Sequence, residues 1–563
     1  MKKLFILILG CTGFTSGIYA QLMDGAKTAF THSDSLRGSN GPARSWWDVQ
    51  RYDIIFQPDY PTKTIKGNTL ITFKVDSTGG AHPDTLQIDL QDPLQIDSMR
   101  LERSGPIHNF RKDGNAYMVP VPQLAGGTSH SLRIYYHGQP KEAVKPPWDG
   151  GFVWAKDSLG RPWMSVACQG IGASVWYPCK DYQGDEPDLG ASLTTIVPDT
   201  LLAIANGHLI AKQKYPNNLN GFTWEVKSPI NNYDIIPYIG KYTFFDTSYA
   251  GEEGKLPVTL WALDYAMDSM RSHCEPDVFK MLKAFEYWFG PYPFYVDGYK
   301  LVQAPYLGME HQSAIGYGNH FQMGYAGRDL SHTGIGLRFD FIVVHESGHE
   351  WFGNNITSKD LADMWVHESF TNYSETLFTE YYWGKNAGQQ YVEGIRENIQ
   401  NDTPIQGRYG VNEEGSGDMY YKGANMINNI RLSINNDTVF REILRGLNKT
   451  FYHQTVTGKQ IEDYINQKSH INFDKVFTQY LTTIQIPTLE LKFINNNKSV
   501  KYRYTTCIDG FDMPLVLKND HHSFELHPTT KWQTKAVPTA EDANLLNPIA
   551  VETAYYIHCK MVH

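Results

Sequence analysis

Residues 344–353 read VHESGHEWFG and place two histidines and a glutamate in an otherwise apolar stretch. His345 and His349 are four residues apart, so in an α-helix their imidazoles lie on one face and can reach one metal ion. Glu346 directly follows the first histidine. The pattern fixes only three letters in a chain with 20 histidines, so its interpretation depends on the rest of the sequence.

A catalytic zinc ion has three protein ligands and one open position, so the two histidines require a third ligand. The segment WVHESF supplies Glu368, nineteen positions after His349, in a strongly aromatic helical pattern between Asp363 and Gly384. Buried acids are rare unless they are paired or bind a metal, and Glu368 lies among apolar neighbours. The sequence therefore predicts that His345, His349 and Glu368 bind one zinc ion.

Strand-like and helical patterns divide the chain into three domains. Short β-branched and aromatic runs such as GNTLITFKV and HSLRIYYHG predict an N-terminal antiparallel β domain over residues 21–250. Helical patterns dominate residues 251–485, among them PDVFKMLKAFEYWFG, and Gly290 and Pro291 end that helix. Strand patterns return in residues 486–563, which are enough for one small β-sandwich. The expected fold class is α+β multidomain, with a mainly helical catalytic domain between two β domains.

Residues 1–20 predict a secretory signal peptide. A cationic MKK start precedes the apolar run LFILILG, and SGIYA ends in a small residue, so we expect cleavage after Ala20. The segment ILGC also resembles a lipoprotein processing site, and cleavage there leaves a lipid anchor on Cys11. No later apolar run is long enough for a membrane-spanning helix. We expect secretion across the inner membrane to the periplasm, either as a free enzyme or as a lipid-anchored lipoprotein.

Charge and cysteine content exclude other function classes. The net charge is −10 and no long basic run occurs, which argues against nucleic acid as a partner. If Cys11 is lost with the signal peptide, five cysteines remain, and no C-x-x-C spacing indicates a cysteine zinc site. Because five is an odd number, at least one thiol stays unpaired, and we expect buried free thiols.

The histidine and glutamate motifs resemble the zinc site of the gluzincin zinc aminopeptidases, the family of membrane alanyl aminopeptidase and leukotriene hydrolase. The resemblance rests on His345, Glu346, His349 and Glu368 with the continuations EWFGNNIT and WVHESFTNYSE, and it covers roughly residues 46–485. It implies a β domain followed by a thermolysin-like catalytic domain with one zinc ion. In that chemistry Glu346 is the general base that takes a proton from the zinc-bound water.

The segment LGMEH resembles the family's Gly-x-Met-Glu-Asn exopeptidase motif. The resemblance implies that Gly308, Met309 and Glu310 contact the substrate. An anionic side chain beyond the zinc ion can pair with the free α-ammonium group of a peptide, which fixes cleavage one residue from the N-terminus. Leu307 and His311 replace the usual Gly and Asn, which leaves the shape of the first side-chain pocket open.

Three further side chains are candidates for the site. Tyr420, in a Tyr-x-Lys-Gly context, resembles the family's catalytic tyrosine, whose phenol donates to the developing oxyanion; Tyr421 is the competing candidate. Gln169 lies nine residues before Pro178 and resembles the residue that holds the substrate's amino end. Glu375 is either a residue that orients a metal ligand or a plain surface glutamate.

Together these motifs predict a zinc-dependent aminopeptidase that hydrolyses the N-terminal peptide bond of peptides with a free N-terminus. A zinc metalloendopeptidase is one alternative, although Glu310 then has no amine to bind. A catalytically inactive zinc-bearing scaffold or binding protein is another, although such proteins typically lose the base or the oxyanion donor, and Glu346 and Tyr420 are both present. An epoxide hydrolase activity like that of leukotriene hydrolase needs a deep lipid tunnel.

Overall fold

The computed structural model describes residues 29–77, 82–519 and 521–562. The predicted signal peptide and the proposed lipid anchor at Cys11 lie outside the described residues. The described chain forms a β-rich N-terminal region, a mainly helical central region and a small C-terminal β region. This order confirms the predicted α+β fold class.

The described part of the N-terminal region contains one short helix, α1 (His32–Gly38), and fifteen strands. Strands β1–β15 are, in chain order, Trp47–Asp59, Thr64–Val75, Thr85–Asp89, Gln95–Leu101, Gly105–Ile107, Arg111–Asp113, Ala116–Pro120, Ser129–Gly138, Gly151–Lys156, Pro162–Ala167, Ala191–Pro198, Leu202–Ile204, His208–Tyr215, Leu219–Val226 and Tyr238–Gly240. Eight of them form a sheet in the order β13-β14-β11-β1-β2-β8-β4-β5, in which only β1 and β11 pair in parallel. Two smaller sheets have the orders β12-β15-β10-β9 and β3-β7-β6.

The alternating sequence of these strands decides which face is buried. In β1 the side chains of Tyr52, Ile54 and Phe56 are fully buried, whereas Ile55 between them is exposed. A period of two places alternate residues on opposite faces of a sheet, so one face of β1 forms core. The run GNTLITFKV forms most of β2 and pairs antiparallel with β1, with Ile54 opposite Thr69.

The central region begins with a sheet and continues in helices. Strands β16–β22 are Tyr242–Gly251, Gly254–Leu263, Tyr299–Gln303, Gly308–Met309, Ile315–Tyr317, Ile356–Ser358 and Gln454–Val456. Helices α2–α10 are Met267–Ser269, Glu275–Phe289, Phe341–Gly348, Trp365–Trp383, Lys385–Gly394, Tyr421–Ile434, Asp437–Thr450, Gly458–Ser469 and Asp474–Thr482. The short 3-10 and π turns of the central region are Met270–Cys274, Ile335–Arg338, Glu350–Asn354, Leu361–Asp363, Ile395–Asn398 and Gly417–Met419, and the N-terminal region has 3-10 turns at Ala173–Val175 and Asn232–Asp234.

The hairpin of β16 and β17 crosses the predicted boundary between residues 250 and 251. Its second strand, β17, pairs in parallel with β18 of the central region, within the sheet β16-β17-β18-β20-β19. One sheet thus contains residues from both sides of the predicted boundary. The position of that boundary stays a prediction.

Helix α3 follows the predicted helical pattern. Pro276 lies in its first turn, Gly290 ends it at φ 96°, and its apolar stripe is buried.

The C-terminal region is built from a four-stranded sheet, a hairpin and two short helices. Strands β23–β28 are Thr488–Ile494, Ser499–Thr505, Leu515–Lys518, Ser523–Leu526, Gln533–Ala536 and His558–Met561, and helices α11 and α12 are Ala540–Leu545 and Pro548–Ala554. The sheet has the order β27-β24-β23-β28, and β25 pairs with β26. Arg396 of the central region donates to the carbonyls of Glu552 at 2.6 Å and Ala554 at 3.2 Å, which joins the two regions.

Two smaller expectations concern membrane spans and thiols. Across the described ranges, no helix combines the length and apolarity that crossing a membrane requires. The five cysteines among the described residues are free thiols, and four of them are buried, as expected. Cys507 differs because its side chain is only partly buried.

Candidate active site

Helix α4 presents the two histidines. Asp340 caps its N-terminus and accepts hydrogen bonds from two backbone N–H groups of the first turn at 3.0 and 3.3 Å, so the helix begins at residue 341. His345 lies inside the helix and His349 directly follows its last residue. A π turn continues the chain, but Phe352 and Gly353 leave helical geometry, with Gly353 at φ 136°. The helix is therefore shorter than its apolar pattern indicates, because a polar cap and a glycine set its ends.

The metal-binding atoms predicted from the sequence converge in the structure. Nε2 of His345 lies 3.8 Å from Oε2 of Glu368, and Nε2 of His349 lies 3.4 Å from the same oxygen. A tetrahedral zinc ion with bonds of about 2.0–2.2 Å holds its ligand atoms roughly 3.3–3.5 Å apart. The His349 and Glu368 atoms are buried and have no hydrogen bond of good geometry among the described residues. The ligand types, the distances between the ligand atoms and the lack of hydrogen-bond partners at two of these atoms all fit a zinc ion.

Hydrogen bonds behind the ligands orient the imidazoles. Nδ1 of His345 donates to Oε1 of Glu375 at 2.7 Å, and Nδ1 of His349 donates to a backbone carbonyl at 3.1 Å. Glu375 is fully buried and also accepts from Asn372 at 2.9 Å and from the Tyr391 hydroxyl at 2.6 Å. With Nδ1 protonated, each ring turns an unprotonated Nε2 toward the ion. Of the two interpretations of Glu375, the structure supports orientation of a ligand.

Glu346 and Glu310 form a second group of acids next to the ligands. Their carboxylates and an imidazole nitrogen of His349 all lie within 4.8 Å of one another. This group overlaps the predicted zinc ligands through His349, but it offers one imidazole instead of two. The set of His345, His349 and Glu368 therefore fits the preference of zinc for nitrogen ligands better.

The buried carboxylates make this centre attractive to positive charge. Burial alone lowers the pKa of His349, but the charges of Glu368 and Glu310 raise it to about 10. Burial raises the pKa of Glu346 well above its ordinary value, and the charge of Glu310 adds to this effect. A divalent cation stabilises the same carboxylates in their ionised form.

The exopeptidase-like segment LGMEH lies against α4. Gly308 and Met309 form β19, which pairs antiparallel with β20, and the side chain of Met309 is buried. A Cβ atom on Gly308 would lie 2.7 Å from Oε1 of Glu346, closer than real side chains approach. Glycine at this position therefore lets the strand backbone approach the carboxylate of Glu346.

Glu310 and Gln169 lie at the predicted amine-binding end. The Glu310 carboxylate is buried and accepts from the Tyr233 hydroxyl at 3.3 Å, while its backbone carbonyl accepts from Asn354 at 2.8 Å. Gln169 lines a small cavity together with Tyr233 and Arg37, and its buried amide nitrogen has no hydrogen-bond partner in the described chain. Tyr233, a residue that no sequence motif had indicated, thus bonds to Glu310 and lines the same cavity as Gln169.

Tyr420 directly precedes α7 and lies close to the metal-binding cluster. Its ring centroid is 5.9 Å from that of His345, and its side chain lines one cavity with His345 and Glu346. Burial raises the pKa of Tyr420 well above its ordinary value, and the charge of Glu368 raises it further, so the phenol keeps its proton and can donate. Tyr421 lines the same cavity, so the choice of Tyr420 as oxyanion donor stays a prediction.

Comparison with known proteins finds a family match over the part of the chain that contains the predicted zinc ligands. Residues 277–480 match the Peptidase family M1 domain. The chain is 22% identical over 471 residues to endoplasmic reticulum aminopeptidase 1 of Mus musculus, a match that covers 78% of this chain and 48% of the relative. It is 20% identical over 503 residues to leucyl aminopeptidase of Saccharolobus solfataricus, covering 84% of this chain and 58% of the relative. The chain spans about half the length of these relatives.

Solved structures share the fold. A variant of the M1 zinc metallopeptidase from Deinococcus radiodurans has a TM-score of 0.64 at 20% identity, covering 78% of this chain and 95% of that chain. A structure of the same enzyme variant bound to a Tyr-Ser-Ala substrate has a TM-score of 0.63 at 19% identity, with the same coverage. The family match over residues 277–480 and the shared fold agree with the predicted resemblance to the gluzincin aminopeptidases.

Proposed function

We propose that this protein is a zinc-dependent aminopeptidase that hydrolyses the N-terminal peptide bond of peptides. One observation carries the proposal: the carboxylate of Glu310, which is not one of the three predicted zinc ligands, lies within 4.8 Å of the carboxylate of Glu346. An acidic group so close to the predicted general base can bind an ammonium group one residue from the scissile carbonyl. The relatives described above, which are named aminopeptidases, support the same reaction.

One zinc ion is proposed at His345, His349 and Glu368. When bound there, zinc polarises the scissile carbonyl and lowers the pKa of its water towards about 7. The side chain of Glu346 accepts the proton of the attacking water and delivers it to the leaving amine. The Tyr420 phenol donates a hydrogen bond to the oxygen that becomes negatively charged.

The substrate's amino end is proposed to lie between Glu310 and Gln169. The carboxylate of Glu310 pairs with the α-ammonium group, and the Gln169 side chain provides an oxygen that accepts from it. The Tyr233 hydroxyl keeps one carboxylate oxygen of Glu310 in place at 3.3 Å. A peptide without a free amine, such as an N-acetylated one, loses the charged interaction and is a poor substrate.

The test compares one peptide with a free N-terminus and the same peptide with an acetylated N-terminus. Mass spectrometry of the products should show stepwise loss of N-terminal residues from the free peptide alone, and a zinc chelator should stop it. Internal cleavage of both peptides would instead identify a metalloendopeptidase. The Glu346→Gln variant is the control, because it should bind zinc but cleave neither peptide.

The proposed location of the protein is the periplasm, after secretion across the inner membrane. The support is the signal-like composition of residues 1–20. Mass analysis of the mature N-terminus tests this proposal: a chain that starts at Gln21 is a free enzyme, and a lipid-modified Cys11 indicates an anchored one. Retention of residues 1–20 in a cytosolic fraction would contradict both forms.

A further inference from the structure

A second, larger cavity adjoins the candidate active site. Its volume is about 470 Å³, within the range of roughly 300–1,000 Å³ that is typical of ligand sites. Trp148, Leu307 and Tyr325 line this cavity, and they also line the cavity that contains Glu346 and Tyr420. The two cavities are therefore neighbours that share a wall.

Residues 305–310 run from the second cavity past the Glu346 carboxylate to the proposed amine-binding end. Glu310 lies at the proposed amine-binding end, Gly308 lies against the Glu346 carboxylate, and Leu307 and Pro305 line the second cavity. Gly308 and Met309 form the short strand β19, residues 305–307 form a bend before it, and Leu307 lines both cavities. A peptide whose amino end is at Glu310 and whose scissile bond is at Glu346 therefore directs its remaining residues to the second cavity.

The wall of the second cavity is aromatic and apolar. Its large aromatic side chains are those of Trp148, Trp163, Tyr306 and Tyr325. The indole nitrogen of Trp148 is buried and has no hydrogen-bond partner in the described chain, so the wall shared with the active site contains an unsatisfied donor. Such a surface suits the apolar side chains of a peptide.

The rim of the second cavity carries positive charge only. Lys156 and Arg328 line the cavity, are both exposed and define this rim, and none of the lining residues is an aspartate or glutamate. Within the described ranges neither cation forms an ion pair. The active site next to it has the opposite character, with Glu310 and Glu346 buried at its centre. This charge pattern is complementary to a zwitterionic peptide, which has an ammonium group at one end and a carboxylate at the other.

We propose that the second cavity binds the C-terminal residues of short peptides and that Lys156 and Arg328 bind their terminal α-carboxylate. The inference rests on the proposed aminopeptidase function, because that function sets the direction of the substrate. It adds a preference that the zinc site does not provide: a tripeptide with a free C-terminal carboxylate binds better than the same tripeptide with a C-terminal amide.

The test measures kcat and KM for one tripeptide as the free acid and as the amide, at low ionic strength. The wild type should prefer the acid by on the order of three- to tenfold in kcat/KM, the effect expected for partly exposed ion pairs. The difference should appear in KM, because the carboxylate is bound equally in the ground and transition states. The Lys156→Ala/Arg328→Ala double variant should treat both peptides alike, whereas the Lys145→Ala control, an exposed lysine outside the cavity, should keep the preference.

A binding measurement separates this inference from the proposed function. Calorimetric titration of the Glu346→Gln variant with each tripeptide should give a lower Kd for the acid than for the amide, and the double substitution added to this variant should remove the difference. Equal Kd values, or an equal loss for both peptides in the double variant, overturn the inference. Failure of the wild type to cleave either peptide overturns the proposed function instead, while the Kd comparison still decides the role of the rim.

Discussion

Replacing Glu375 by glutamine should weaken zinc binding while leaving the fold intact. The Glu375 carboxylate accepts three hydrogen bonds, from His345 at 2.7 Å, Asn372 at 2.9 Å and Tyr391 at 2.6 Å. A glutamine of the same shape keeps only one acceptor oxygen, and its amide nitrogen faces another donor. Either His345 loses the partner that holds its Nε2 toward the ion, or the Tyr391 hydroxyl has to turn away.

The expected size of this effect follows from the hydrogen bond that is lost. A hydrogen bond to a charged group contributes about 1.5–3 kcal/mol, and loss of a partner behind a metal ligand typically lowers metal affinity by about 10–100-fold. These two estimates agree, since each tenfold change in affinity corresponds to about 1.4 kcal/mol. We therefore expect the Kd for zinc to rise by about 10–100-fold in Glu375→Gln, with near-normal kcat at saturating zinc.

Competition with a chromophoric chelator measures this Kd, and thermal unfolding checks the fold. Glu380→Gln is the matched control because Glu380 lies on the same helix, where its carboxylate pairs with Arg431 at 2.8 Å. The control should lose stability but keep the wild-type zinc affinity. Wild-type zinc affinity in Glu375→Gln, or an equal loss in the control, would refute the assignment of Glu375 as the residue that orients His345.

Three further predictions concern other parts of the structure. Tyr420→Phe should lower kcat by about 10²–10³-fold with zinc affinity retained, whereas Tyr421→Phe should stay near wild type; the reverse ranking would reassign the oxyanion donor. Gly308→Ala should lower kcat at unchanged zinc content, because its Cβ meets Oε1 of Glu346 at 2.7 Å, and a normal kcat would contradict this contact. Burial lowers the pKa of Lys300 from 10.5 to about 7, so between these pH values the unfolded state binds more protons and stability rises with pH. In urea unfolding, Lys300→Met should reduce the rise of the unfolding free energy with pH by up to about 1.4 kcal/mol per pH unit. Equal slopes in the wild type and the variant would contradict the lowered pKa of Lys300.

Several structural features lay beyond the reach of sequence patterns. Tyr233 bonds to Glu310 across 77 residues of sequence and belongs to no motif, so its role was visible only after folding. The helices α11 and α12 have six and seven residues, which is too short to show a helical period. The sheet that crosses the predicted boundary contains the parallel pairing of β17 with β18, a long-range contact that no local pattern indicates.

The sequence by itself determined the types of the metal ligands and the side of the helix on which they lie. His345 and His349 share a helix face because of their spacing, and this relation is local. Only the tertiary structure decided that Glu375 orients His345 and that Lys156 and Arg328 lie at one cavity beside the active site. These residues come from distant segments, and their distances depend on how helices and sheets pack in space.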